Sequence, residues 1–375
     1  MALLLLAMLP VPLKLKEKSQ KDNRSAENNN IIHRVLQEVL RDLQKPGEEG
    51  LMIGCSDGKK RYCFPVLCAW IADHMEHVSS LLHNIKTNAC PKCEVPPEAL
   101  GEPPRGFGYP NRNHDRYQLL IKQHQKTKEF APIEELAKKG ITALFNAFWG
   151  LPHVDPAELA KPDLLHTVYL GILKHLMEWI QDFLKKHNRL KYFDEAWASM
   201  GAYLGFTAPK KAYREVSQWQ GKEMRNLGRI VTAAFTTALH APNDVERADF
   251  RFATRCVTAI VDFHLMAQYS THTEATLDYM RGFLSDFHKE KEIFWAFRIG
   301  KHRTKQARGA VGKIASRQAQ WAKAMARKGK TATQRRKVAL EDQEELASVR
   351  VEEAAKRAYF NFMKMHLLQH FSSHV

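Results

Sequence analysis

Between residues 84 and 116 the chain stops reading like a hydrophobic core. The run NACPKCEVPPEALGEPPRGFGYPNRNHD is dense in proline and glycine and has almost no apolar periodicity. Proline removes a backbone donor, and glycine loses the most conformational freedom on ordering. Such a segment cannot bury a core of its own and needs another staple. Before it lies a short piece with strand and helix signals. From 131 to 300 the pattern is helix after helix. The fold class this predicts is α+β, mostly helical.

Cys90-Pro-Lys-Cys93 is the candidate staple. Two thiolates at this spacing reach one tetrahedral ion from a tight turn. No second CxxC exists in the sequence, so imidazoles must complete the set. His83, His114 and His124 are nearest, with His114 in NRNHD the favoured third ligand. A redox pair or two inert cysteines are the competing readings, although no thioredoxin-like βαβ pattern surrounds them. Structural Zn²⁺ on Cys90, Cys93 and His114 is expected, because metal binding would supply folding energy that the segment lacks. Six cysteines in 375 residues are too few and too irregular for a disulfide framework, which fits a reduced compartment.

The opening MALLLLAML has no basic region before it and no small-residue cleavage site after it, so it reads as a core strand or helix. No window reaches a membrane span in length. Residues 13 to 30 are polar and read as a surface loop. Ile32, Val35, Leu36, Val39, Leu40 and Leu43 recur at helical spacing and predict an amphipathic helix that stops before Pro46-Gly47. Ser56-Asp57-Gly58 is a turn between two apolar runs. Phe64 to Ala72 reads as a buried strand ending at Asp73.

The stretch PDLLHTVYLGILKHLMEWI, residues 162 to 180, predicts a helix with Pro162 in its first turn and Asp163 at its positive end. Leu165, Val168, Ile172, Leu176 and Ile180 form an apolar stripe, flanked by Trp179. His166 lies one turn beyond Asp163 on the same face. By themselves, Asp73 and Asp163 read most simply as cap residues.

The net charge is +16, which points to a polyanionic partner. It is concentrated: residues 301 to 340 hold thirteen Lys or Arg and no Asp or Glu. Lys313, Arg317, Arg327, Lys328, Arg335 and Arg336 are the candidate phosphate contacts. Trp321 is the segment's only aromatic, so base stacking has little to work with, and a solvated charge run is the plainer reading.

Several strings in order resemble the Plavaka-type transposases of the Kyakuja–Dileera–Zisupton group, which are related to CACTA elements. They are LLAMLPVP, GCSDGKKRYCFPVLCAWIADHMEH, NACPKCEVPPEALGE, FWGLPHVDPAELAKPDLLHTVYLGILKHLMEWI, SQWQGKEMRNLGR, AIVDFHLMAQYSTHT and FNFMKMHLLQHF. The resemblance implies a partial ribonuclease H-like core over 1–80 and a zinc-binding insert over 81–130. A helical region carrying a DxxH motif would follow over 131–300, then a basic segment over 301–340 and a C-terminal helix over 341–375. On this reading Asp73 is the second catalytic acid, and Asp163 and His166 are the DxxH pair. Mg²⁺ or Mn²⁺ is the catalytic ion of intact relatives, DNA is the partner, the location is nuclear, and a homo-oligomer is compatible.

The departures are specific. The family's first catalytic Asp lies upstream of LLAMLP, and its last Glu follows KMHLLQHF, so the chain is expected to be truncated at both ends and catalytically incomplete. Met363 stands where the family usually has Pro, and Glu223 in GKEMRN has no assigned role. The alternative reading is a non-catalytic, zinc-stapled, basic nucleic-acid-binding protein.

Overall fold

The computed structural model describes residues 21–83, 90–104, 108–202, 206, 212–216, 218–241, 247–298, 353–357 and 359–372. The opening MALLLLAML and the whole basic segment 301–340 lie outside the described residues. The chain divides into two compact units, one made of residues 1–97 with 105–163, the other of 98–104 with 164–375. The described residues are mostly helical, with two two-stranded sheets.

The first unit begins with helix α1, Lys21–Glu49. It starts earlier than the polar composition of residues 13 to 30 suggests. Asn29 faces inward and is buried, as is His33. The His33 ring bridges two elements: Nδ1 accepts from the Ala147 backbone at 3.0 Å, and Nε2 donates to the Ser79 carbonyl at 3.1 Å. Polar residues are thus drawn into the helix by a histidine that needs two partners. The helix also runs through Pro46 instead of stopping before it. A proline this near the C-terminal end removes one ladder bond, and the chain leaves the helix at Gly50, whose φ is +75°.

A hairpin follows, β1 (Leu51–Gly54) antiparallel to β2 (Lys60–Cys63), closed by the Ser56-Asp57-Gly58 turn as its sequence predicts. The expected buried strand from Phe64 to Ala72 is not one. Only β3, Trp70–Ala72, is a strand, and Phe64, Val66 and Ile71 are exposed. Pro65 lacks a backbone donor there, and among the described residues β3 has a single neighbour. That neighbour is β4, Ala160–Pro162, paired in parallel. Helix α2 (His74–Ser80) leaves β3 directly, and helices α3 (His114–Thr127), α4 (Ala131–Lys138) and α5 (Pro156–Leu159) complete the unit. Its core is small: Leu36, Leu40, Leu81, Phe148 and Leu159 in one cluster, Tyr117, Leu120, Ile121 and Leu136 in another.

The second unit is helical. It holds a π-helical segment Leu165–Ile172 that runs into α6 (Leu173–Lys186). Then come α7 (Leu190–Ala198), α8 (Gly221–His240), α9 (Ala248–Met266), α10 (Glu274–Glu290), α11 (Glu292–Ala296) and α12 (Met363–Leu367). Val168, Ile172, Leu176 and Ile180 are fully buried, as the apolar stripe predicts. Leu165 is not; it is 39% exposed. The wider winding of a π-helix rotates the first residues of the segment off a stripe laid out at α-helical spacing. Met363, where the resemblance leads one to expect Pro, is the first residue of α12, a position where proline costs little because its missing N–H would be unpaired anyway.

GKEMRN is a cap and a packing surface. Glu223 Oε2 accepts from the Gln220 backbone at 2.9 Å, closing a capping box at the start of α8. Met224 is buried, and Arg225 donates to Gln268 at 2.8 Å. A Cβ on the nearby Gly228 would come within 2.4 Å of the His264 ring.

Candidate metal and carboxylate sites

The CPKC turn is held by its neighbours within the first unit. Cys93 forms an isolated antiparallel bridge with Asn111, flanked by Glu94 N to Pro110 O at 2.9 Å and Arg112 N to Lys92 O at 3.0 Å. Arg112 is buried, and its guanidinium donates to the Cys90 carbonyl at 2.5 Å and the Lys139 carbonyl at 2.9 Å. Lys92, between the two cysteines, is also buried and pairs with Glu158 of α5 at 2.7 Å. Asn111 donates to the other oxygen of the same carboxylate. An insert without a core is therefore tied down by one arginine and one glutamate.

Cys90 and Cys93 are both buried. The Cys93 thiol is held well above its ordinary pKa by its hydrogen bond to Cys90 and by burial. On α12 and the 3₁₀ turn after it, His366 and His370 sit four residues apart with ring centroids 4.9 Å apart. Within the first unit, Cys90 and Cys93 bring two buried thiols together, a soft donor pair suited to Zn²⁺.

His114 opens α3 in the same unit, its Nδ1 accepts from the Trp149 indole at 3.3 Å, its Nε2 is buried without a hydrogen-bond partner, and burial and the nearby Arg112 lower its pKa to about 4. In the other unit, the HxxxH spacing in KMHLLQHF places the His366 and His370 rings on one helical face.

Asp73 and Asp163 are brought together by the sheet. In the β3–β4 register Ala72 lies beside Pro162, so the two aspartates follow paired residues at the same end of parallel strands. Asp73 caps α2, Oδ1 accepting from Glu76 N at 2.7 Å. Pro162 is the last residue of β4, not a helical residue. Asp163 is half-buried after it. His77, one turn into α2, donates from Nε2 to the Lys161 carbonyl at 3.0 Å, which fixes α2 against β4. Burial lowers the His77 pKa, so it stays neutral, and both aspartates act on it electrostatically. Nothing in the sequence marks His77 as a positioning residue. His166 is exposed in the π-helical segment. Gly171 in that segment admits no Cβ, which would meet the His166 carbonyl at 2.6 Å.

The family model of the Plavaka transposase matches residues 1–180. This stretch is similar to Plavaka transposases. It takes in the CPKC turn, both aspartates, the π-helical segment and the first half of α6. Searches of curated proteins and of solved structures returned no match. No helix among the described residues is long and apolar enough to cross a membrane.

Proposed function

We propose that this is a transposase-derived protein that acts on DNA, with the β3–β4 pair as a remnant of a ribonuclease H-like core. The observation that carries the reading is the parallel register that sets Asp73 beside Asp163, within the segment that matches the Plavaka family. Carboxylates at adjacent strand ends supply the hard oxygen donors that Mg²⁺ or Mn²⁺ takes. When bound, such an ion stabilises charge on the oxygens of a phosphodiester. Asp73 and Asp163 would hold it, His77 would fix their separation, and His166 would complete the DxxH pair.

The site is catalytically incomplete in this reading. Among the described residues no third acidic group joins Asp73 and Asp163 in a metal-binding cluster. Zn²⁺ on Cys90 and Cys93, with His114 as the third ligand, serves structure. Lys313, Arg317, Arg327, Lys328, Arg335 and Arg336 add phosphate contacts, and the protein works in the nucleus.

Supercoiled-plasmid nicking in Mn²⁺, beside titration of Mn²⁺ binding, tests this. The expected result is weak Mn²⁺ binding that Asp163→Asn abolishes, with no nicking. Nicking that disappears in Asp163→Asn would overturn the incompleteness and keep the chemistry. Wild-type protein that binds no Mn²⁺ would remove the carboxylate site.

A further inference from the structure

Arg247, Arg251 and Arg255 stand four residues apart, at the N-cap and along the first two turns of α9, and all three are exposed. A spacing of four keeps them on one face, about 6 Å apart along the axis. The facing half of α8 contributes Thr236 and His240. Together with Phe250 and Thr254 these residues line a cavity of about 230 Å³. No acidic side chain lines it among the described residues.

The flanking acids lie at the margins. Asp249 takes a two-pronged pair from Arg247 at 2.8 and 2.9 Å, while Glu290 reaches Arg255 only at 4.0 Å. Arg247 also lies over the Phe250 ring at 5.3 Å, which orients its guanidinium. Three guanidinium groups, an imidazole and two hydroxyls form a donor-rich wall that suits phosphate oxygens.

We propose that the α8–α9 groove binds the phosphate backbone of DNA, as a second contact surface separate from the basic segment 301–340. The arginine row spans about 12 Å, eight residues at 1.5 Å each, which is too long for one phosphate and suits successive phosphates of one strand. The inference rests on the reading of the protein as DNA-acting, and it locates a contact that the reading does not supply. The sequence signal is the four-residue arginine spacing in ERADFRFATRC.

Fluorescence anisotropy of the full chain with a labelled 30-base-pair duplex, over a salt series, provides the test. Arg251→Gln/Arg255→Gln should weaken binding at least tenfold near 0.1 M salt and reduce the salt slope by about 2, one per lost phosphate contact. Arg251→Lys/Arg255→Lys should recover most of the slope. Inorganic phosphate at 10 mM should displace little of the duplex; full displacement would assign the groove to free phosphate and overturn the proposal. Wild-type-like binding by the Gln pair would overturn it while leaving the DNA-acting reading intact. Absence of duplex binding by wild type would overturn both. Should the Gln pair fail to fold, phenylglyoxal modification of wild-type protein with and without duplex decides. Protection of Arg251 and Arg255 by DNA is expected, and equal labelling sinks the groove.

Discussion

Lys92, the residue between the two thiols of CPKC and proline's neighbour, ion-pairs with Glu158 at 2.7 Å, and its side chain is only 4% exposed. Two strings sixty-odd positions apart in the sequence are thereby one structural unit. Removing Glu158 leaves a buried ammonium without its charge partner, which is the costly way to break such a pair. Glu158→Ala should lower stability by about 2–3 kcal/mol in urea unfolding, discounted from the fully buried case because Glu158 is partly exposed. Lys92→Met in the Glu158→Ala background should recover most of the loss. A double mutant no better than Glu158→Ala alone would show that the pair is not the anchor.

Zinc should bind at one ion per chain, measured by mass spectrometry of the native protein. Cys93→Ser should reduce the stoichiometry sharply, and His114→Ala should weaken binding, because Trp149 occupies only Nδ1 of His114 and leaves the buried Nε2 for the ion. Chelation should lower the melting temperature of wild type far more than that of Cys93→Ser. Zinc held at wild-type affinity in His114→Ala would remove His114 from the ligand set.

The two roles of Asp73 can be separated. Serine caps a helix about as well as aspartate but offers no carboxylate. Asp73→Ser should therefore keep its stability within a few tenths of a kcal/mol and lose Mn²⁺ binding. Asp73→Ala should lose Mn²⁺ binding and about 1 kcal/mol as well. Equal Mn²⁺ affinity in Asp73→Ser and wild type would reduce Asp73 to a cap.

Acid sensitivity should trace to buried neutral histidines. Burial, helped by Arg229 and Arg225, lowers the His264 pKa to about 4, and burial with Lys364 and Lys174 does the same for His175. Below about pH 6.5 the unfolded chain takes up protons that the folded one refuses until about pH 4. Stability is thus fully present above pH 6.5 and falls as the pH drops to 4, by on the order of 3 kcal/mol for the fully buried His264 and by less for His175, whose side chain is a third exposed to screening by water. His264→Gln should flatten the acid limb of stability against pH, whatever its effect at pH 7.

Gly228→Ala should be destabilising by about 1–3 kcal/mol, because its Cβ would enter the His264 ring space. His264→Ala in that background should rescue part of the loss. An unchanged melting temperature in Gly228→Ala would mean that α8 and α9 have slack at this contact.

Periodicity reveals much of this protein and pairing reveals little. The stripe Val168, Ile172, Leu176 and Ile180 is readable because helical spacing is local. The failure of Phe64–Ala72 as a buried strand is not, since a strand's burial depends on neighbours that no local pattern names. The π-helical winding that exposes Leu165 is likewise silent in composition. In the candidate sites, Cys90 and Cys93 announce themselves by spacing. Arg112 and His77 do not, because their importance lies in carbonyls they reach across the fold. GKEMRN shows the converse: a string without an assigned role whose residues cap and pack.

The seven residues 98–104 belong to the helical unit, although the chain on both sides of them belongs to the other. They are gripped there: Lys291 donates to the Gly101 carbonyl at 2.5 Å, the Asn361 side chain accepts from Gly101 N at 3.0 Å, and Gln369 donates to the Glu102 carbonyl at 3.2 Å. The polypeptide accordingly crosses from one unit to the other three times. In covalent terms the units are laced, not beaded. One protease nick at any crossing leaves at least one fragment with residues of both units, and a fragment cut at residue 163 would carry away a loop that the remaining helices need.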